Sequence, residues 1–195
     1  MKLRFFGASI QWRVIYALAA SLLWWAIVEL NQSWFGGRCP YPFYGTGAVY
    51  TALVLVPYLP DLRGLRWLRA LALLLCGAFS YWSAVSLFDS SIIPMPDFVK
   101  GLSDGLYLSY PMGISGILGA AIVGIGARVF IPLALRWSGW LMLLGAGLLG
   151  GVALGFAASA GVGVDGNNSY GYWFPGHAAW QVLVCLALYY GSEHE

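Results

Sequence analysis

Charge is what this chain has least of. Only 9% of its 195 residues are Asp, Glu, Lys or Arg, where a soluble domain carries about 25% to keep its surface wetted. So few ions cannot coat a water-facing surface, so lipid must cover most of it, and an ordinary soluble domain is excluded. Histidine is nearly missing too, with His177 and His194 the only two. That excludes a purely histidine-built metal centre inside the spans, although Asp104 or Ser80 are conceivable oxygen ligands. Three cysteines, Cys39, Cys76 and Cys185, stand far apart and form no C-x-x-C pair, which argues against a zinc finger or a dithiol redox site. Cys76 and Cys185 fall in apolar runs and read as small packing residues. Basic clusters are absent as well, so no nucleic-acid partner is expected. No metal and no cofactor is expected.

What the chain does have is hydrocarbon: 60% hydrophobic residues and a mean hydropathy of +0.74. A membrane span needs about 20 mainly apolar residues, so about six spans nearly fill this length. The expected fold is all-α, one polytopic bundle of about six transmembrane helices in a single domain over 1–195. The apolar runs place the spans at about 14–28, 41–59, 68–88, 106–127, 140–160 and 174–190. The first has no small-x-small cleavage site after it and reads as a retained signal anchor. The second is the weakest, interrupted by Gly45, Gly47 and Pro57.

Orientation follows from the basic residues. With the N-terminus inside, Lys2, Arg4, Arg13, Arg63, Arg66, Arg69, Arg128 and Arg136 all lie on the inner side. Arg38 and Lys100 alone lie outside. Positive charge gathers on the cytoplasmic side, so both termini are expected there, in a bacterial inner (cytoplasmic) membrane. Tryptophans agree, because an indole suits the headgroup zone. Trp12, Trp67, Trp137 and Trp140 fall at inner ends, and Trp34, Trp82, Trp173 and Trp180 at or near outer ends. Trp24 and Trp25 lie deeper, facing lipid or a neighbouring helix. Glu29 follows the first span at the outer interface.

Glycines carry a packing message. Gly147, Gly151 and Gly155 recur at every fourth position of the fifth span, and Gly116, Gly124 and Gly126 thin the fourth. Small residues let backbones approach closely, gaining contact that lipid cannot match. These two spans are expected to pack tightly inside the bundle. The outer loops, Asp89–Asp104 and Gly161–Gly176, have the composition of ordered or interfacial segments. Val129–Leu135, with Pro132, reads as a short interfacial connection. Asn31 and Asn167 begin glycosylation-type patterns of the kind composition alone produces.

Two residues stand out chemically. Ser115 lies between glycines in Gly113-Ile114-Ser115-Gly116, near the outer entry of the fourth span, where a hydroxyl is a candidate nucleophile. His177, near the outer start of the last span, is the one candidate base. An intramembrane imidazole is a functional candidate by default; the competing role is a hydrogen-bonded interfacial anchor. Ser80, Ser83 and Ser86 in the third span read as hydroxyls satisfying backbone carbonyls.

The Gly113–Gly116 motif, a histidine in the last span, six spans and cytoplasmic termini together resemble rhomboid intramembrane serine proteases. That resemblance implies Ser115 as nucleophile and His177 as base. It departs from the family in two places: the second span has no His-x-x-x-Asn pair, and Trp180 stands where the family has a glycine. The last span, Gly176-His177-Ala178-Ala179-Trp180-Gln181 and onward, is similar to that of alkaline ceramidase and progestin-receptor-like hydrolases, and Gly77-Ala78-Phe79-Ser80 resembles their serine region. Those proteins bind zinc through His-x-x-x-His. Gln181 stands for the second histidine and Ala84 follows Ser80 by four, so this likeness implies a degenerate relative without its zinc.

With no intact catalytic set, the expected function is a non-catalytic subunit or scaffold. Its partners would be the lipid bilayer and other membrane subunits, a hydrophobic ligand or a membrane-embedded substrate. A transporter is not favoured, for there is no mid-span carboxylate or cation and no internal repeat.

Overall fold

The computed structural model describes residues 10–35, 47–55, 66–89, 93–131, 135–161 and 174–192. Helices account for nearly all of them: α1 (Ile10–Phe35), α3 (Arg66–Asp89), the short α4 (Asp97–Lys100), α5 (Asp104–Phe130), α6 (Trp137–Gly161) and α7 (Phe174–Ser192). Between α1 and α3 lies α2, residues 47–55, whose second half, Thr51–Leu55, is wound as a π-helix. Among the described residues there is no strand. Three helices are long and apolar enough to cross a membrane, over Trp67–Ala84, Gly105–Phe130 and Trp137–Ala160. The apolar stretch of α1, Arg13–Ile27, is shorter.

The outward faces argue for lipid independently of length. On α3, Trp67, Leu71, Leu75, Phe79 and Trp82 are all exposed, a row of large apolar side chains at spacings of three and four. α6 exposes Leu141, Met142, Leu148, Leu149 and Phe156, and α1 exposes Ile15, Leu18, Leu22 and Trp25. Continuous rows of this kind are foreign to a water-soluble monomer and natural in hydrocarbon. Trp67 and the strongly exposed Trp137 stand at helix ends, as indoles in a headgroup layer do.

The helices alternate in direction, as their contacts reveal. Gly124, Gly116 and Gly113 of α5 meet Leu143, Gly147 and Leu148 of α6 in that order, so the two run antiparallel. Gly139, Gly150 and Leu154 of α6 lie against Gly191, Trp180 and Gly176 of α7, again antiparallel. Ser80 of α3 reaches Gly119 of α5, and Cys76, a turn earlier, reaches Ile122. Ser21 of α1 reaches Gln181 of α7, while Trp24 lies on His177. Thus α1, α3 and α6 point one way and α5 and α7 the other. α2 runs against α3, with Gly47 against Gly77 and Tyr81, and Thr51 against Gly77.

α5 and α6 form the most intimate pair, and the glycine stripe explains why. A Cβ on Gly147 would strike the Gly116 carbonyl, one on Gly151 the Met112 backbone, and one on Gly155 the Ser109 backbone. This is the tight packing expected of the two spans. Closeness also permits an interhelical hydrogen bond, Ser109 Oγ donating to the Val152 carbonyl at 3.1 Å. Gly126 makes the corresponding space for Cys76 on α3. Pro111, inside α5, is buried.

Several expected boundaries shift. α1 runs from Ile10 to Phe35 rather than 14–28, because Gln11, Glu29, Asn31 and Gln32 continue the helix beyond the apolar core. Of the second span only 47–55 is described; 41–46 and 56–59 lie outside the described residues, as do most of the last outer loop (162–173), Arg38, Arg63, Cys39 and residues 1–9. The connection between α3 and α5 contains α4, whose Val99 is buried while Phe98 is 71% exposed. In the connection after α5, Ile131 and Leu135 are buried in the main apolar core while Val129 is exposed, and 132–134 lie outside the described residues.

Candidate functional site

Among the described residues most buried polar side chains gather in one layer of the bundle, with the half-buried Tyr81 beside them, while Arg13 and Ser109 lie nearer its two ends. From α1 come Ser21 and Trp24, from α2 Tyr50 and Thr51, from α3 Ser80 and Tyr81, from α5 Ser115, and from α7 His177 and Gln181. His177 and Gln181 are four apart, so they share one face of α7. Ser21 and Trp24 are likewise three apart on α1. The α1–α7 contact is therefore a stack of paired groups. Ser21 Oγ donates to Gln181 Oε1 at 2.8 Å while also lying 3.1 Å from the Ala17 carbonyl. One turn outward, the Trp24 ring lies against the imidazole of His177, centroids 4.0 Å apart. Toward the other end, the Arg13 guanidinium covers the Tyr189 ring at 4.2 Å, and Cys185 Sγ faces the Arg13 carbonyl at 3.7 Å.

Neighbouring helices close the layer. Tyr81 Oη lies 3.3 Å from His177 Nε2, Tyr50 Oη donates to the Gln181 carbonyl at 3.3 Å, and Ser80 Oγ donates to the Gly119 carbonyl at 2.8 Å. A buried polar group costs on the order of 1–3 kcal/mol when unpaired, so such pairs are what let polar side chains reside here.

The two sequence-predicted site residues are both in this layer but are not joined to each other. His177 is 3% exposed and is engaged by Tyr81 and Trp24. Ser115 is 5% exposed and its Oγ has no hydrogen-bond partner at all. Ser115 lies one turn outward from Gly119, on the face that α5 turns to α3. The indole of Trp180 sits beside it in the fold, packed against Gly150 of α6 and Gly119 of α5, with Nε1 donating to the Gly116 carbonyl at 3.4 Å. Trp180 is thus an interior wedge and not the outer-interface anchor expected from its place in the sequence. Gly116, Gly119 and Gly150 together leave the room an indole needs, and the Gly116 carbonyl supplies the acceptor.

The deep tryptophans divide: Trp24 is 1% exposed, inside, while Trp25 faces outward. Sequence reasoning missed Ser21, Trp24, Tyr50 and Tyr81 as members of the layer. The i, i+3 spacing of Ser21 and Trp24 and the i, i+4 spacing of His177 and Gln181 were the available signals, since a polar residue amid an apolar run must find a partner. Among the described residues no group of three or more His, Cys, Asp or Glu is placed to hold a metal ion. Gln181, at the position a zinc histidine would take in a ceramidase-like span, spends its side chain on Ser21.

No family model matches the chain, and no curated protein or solved structure matches it. The likenesses of Gly113–Gly116 and of the last span accordingly rest on those residues alone.

Proposed function

We propose that the chain is a six-span membrane protein of the bacterial cytoplasmic membrane, with both termini inside, acting as a non-catalytic subunit that binds a membrane partner or a hydrophobic ligand. The alternating helix directions and the inner location of eight basic residues, Lys2, Arg4, Arg13, Arg63, Arg66, Arg69, Arg128 and Arg136, support that topology. An even number of alternating segments returns the chain to its starting side.

One observation carries the non-catalytic reading: the only intramembrane imidazole is committed elsewhere. A serine nucleophile needs its base within about 2.6–3.2 Å, or somewhat more without substrate. His177 instead contacts Tyr81 and Trp24, and Ser115 Oγ contacts no base. The polar groups of the layer hold helices together, which is the work expected of a subunit core. The test is covalent labelling of the purified protein by a fluorophosphonate, alongside an active rhomboid protease. No labelling is the expected result. Labelling that disappears in Ser115→Ala would establish the second reading, a rhomboid-like protease using Ser115 and His177. That reading is favoured by one feature, the unpartnered hydroxyl of Ser115 in the same interior layer as His177.

A degenerate zinc-hydrolase relationship has less support, because Gln181 donates no zinc-binding imidazole and is bonded to Ser21. Metal analysis of the purified chain is expected to give well under one zinc per molecule. Partner proteins would be sought by co-purification under mild detergent.

A further inference from the structure

We infer that the polar layer between α1, α3, α5 and α7 is a binding site for the carbonyl oxygen of an uncharged, membrane-soluble molecule. The inference rests on the non-catalytic reading and gives its hydrophobic ligand a chemical class. Its basis is an asymmetry among hydroxyls and indoles. A serine inside a helix can always turn its hydroxyl onto the carbonyl three or four residues back. Thr51 does so to Gly47, and Ser21 and Ser109 each have that carbonyl within reach alongside an acceptor on another helix. Ser80 finds the Gly119 carbonyl on a neighbouring helix. Ser115 does neither, although it is as deeply buried.

The same contrast separates the interior indoles. Trp180 Nε1 reaches the Gly116 carbonyl, whereas Trp24 Nε1 is buried without any acceptor. Two deeply buried donors, from α1 and α5, are thus left unsatisfied in the layer that His177 and Tyr81 occupy. Native interiors rarely leave such groups unpaired, because each costs its full desolvation.

The chemistry of the two groups defines what would satisfy them. An indole N–H can only donate, and a serine O–H donates readily, so the missing group is an acceptor. The same layer holds the imidazole of His177, the phenol of Tyr81 and the neutral amide and hydroxyl of Gln181 and Ser80, with aromatic Tyr50 and Trp180 packed beside each other. That surrounding favours an uncharged acceptor on an apolar body. In a bilayer, two sources present such an oxygen: the ester carbonyl of a neutral glyceride and the ring carbonyl of a quinone.

The experiment uses the full chain purified in detergent and follows its thermal unfolding with dioleoylglycerol in one arm and decylubiquinone in the other. The expected result is a concentration-dependent rise in unfolding midpoint with one of the two probes, which identifies the source. Trp24→Phe removes the N–H together with part of the buried ring system; Ser115→Ala removes the hydroxyl alone. Each is expected to weaken apparent affinity by about five- to tenfold, the effect of one lost hydrogen bond; Ser115→Ala does so without lowering the midpoint measured in the absence of probe, whereas Trp24→Phe lowers that midpoint through the packing it loses. No shift with either probe would overturn the inference, and so would equal shifts in the wild type and both variants. A drop in the probe-free midpoint of Ser115→Ala would overturn it as well, since that is the mark of a donor already satisfied by internal water. Fluorophosphonate labelling of Ser115 would instead remove the non-catalytic reading itself, so the two failures are distinguishable.

Discussion

Two interfaces of this bundle solve the same problem by opposite means. α5 and α6 meet where side chains are missing: Gly116, Gly147, Gly151 and Gly155 bring backbone against backbone. α1 and α7 meet where side chains are polar: Ser21 on Gln181, Trp24 on His177, Arg13 on Tyr189. α5 and α6 are both long and apolar enough to cross a membrane, and lipid tails are as apolar as leucine, so their interface draws on no hydrophobic driving force between helices. The first gains dispersion contact over its whole length and tolerates no added atom. The second gains a few directional bonds and tolerates the loss of one.

The sharpest way to break that comparison is to add one methyl group to the glycine seam. In Gly151→Ala the new Cβ would collide with the Met112 carbonyl and crowd Gly113, both backbone. A flexible side chain could swing away, but a helix backbone can only retreat bodily. Overpacking costs about 1–3 kcal/mol, occasionally more, and the upper end is expected here. Purified Gly151→Ala should show a clearly lower thermal unfolding midpoint than wild type, and a poor yield of monodisperse protein. An unchanged midpoint would mean that α5 and α6 do not meet along this stripe.

The hydrogen-bonded seam should answer more mildly. Intramembrane hydrogen bonds measured by double-mutant cycles average about 0.6 kcal/mol, with a maximum near about 1.7. Ser21→Ala and Gln181→Leu, singly and together, form such a cycle across the 2.8 Å bond between them. A coupling energy of about 0.5–1.5 kcal/mol is expected. Zero coupling would remove this bond from the account of how α1 is held. Tyr81→Phe, which deletes the hydroxyl 3.3 Å from His177, should cost less still, because that contact is longer and weaker. If instead it produced phosphonate labelling at Ser115, His177 would have been freed to serve as a base.

How far each seam could be read in advance differs for a physical reason. The glycine stripe was legible because its signal is local: Gly147, Gly151 and Gly155 announce a bare helix face whatever lies opposite. The Ser21–Gln181 bond joins residues 160 positions apart, and neither residue alone reveals that it has a partner. Ser115 and His177 were legible as chemically unusual residues, but their chemistry depends on distance, and Tyr81 gave no local hint that it would meet the imidazole. Trp180 misled for a similar reason. An indole near a span end usually seeks the headgroup zone, yet the glycines that admit it to the interior lie on other helices: Gly116, Gly119 and Gly150.

The smallest expected effect is the most discriminating, because it repeats the first substitution six residues away on the same helix. Gly145 has no atom within 4 Å of where its Cβ would stand, and it is flanked by the outward-facing Leu141, Met142, Leu148 and Leu149. Gly145→Ala adds a methyl group to open space on the lipid side. Alanine is favoured over glycine inside a helix by about 0.5–1 kcal/mol, since glycine loses more backbone freedom on folding. The variant should therefore match the wild type or unfold at a slightly higher temperature, while Gly151→Ala unfolds lower. Opposite signs for one chemical change would show that the cost at Gly151 comes from the Met112 backbone facing it, rather than from helix propensity. A loss at Gly145 as large as that at Gly151 would mean that the lipid-facing side of α6 is itself covered by another helix.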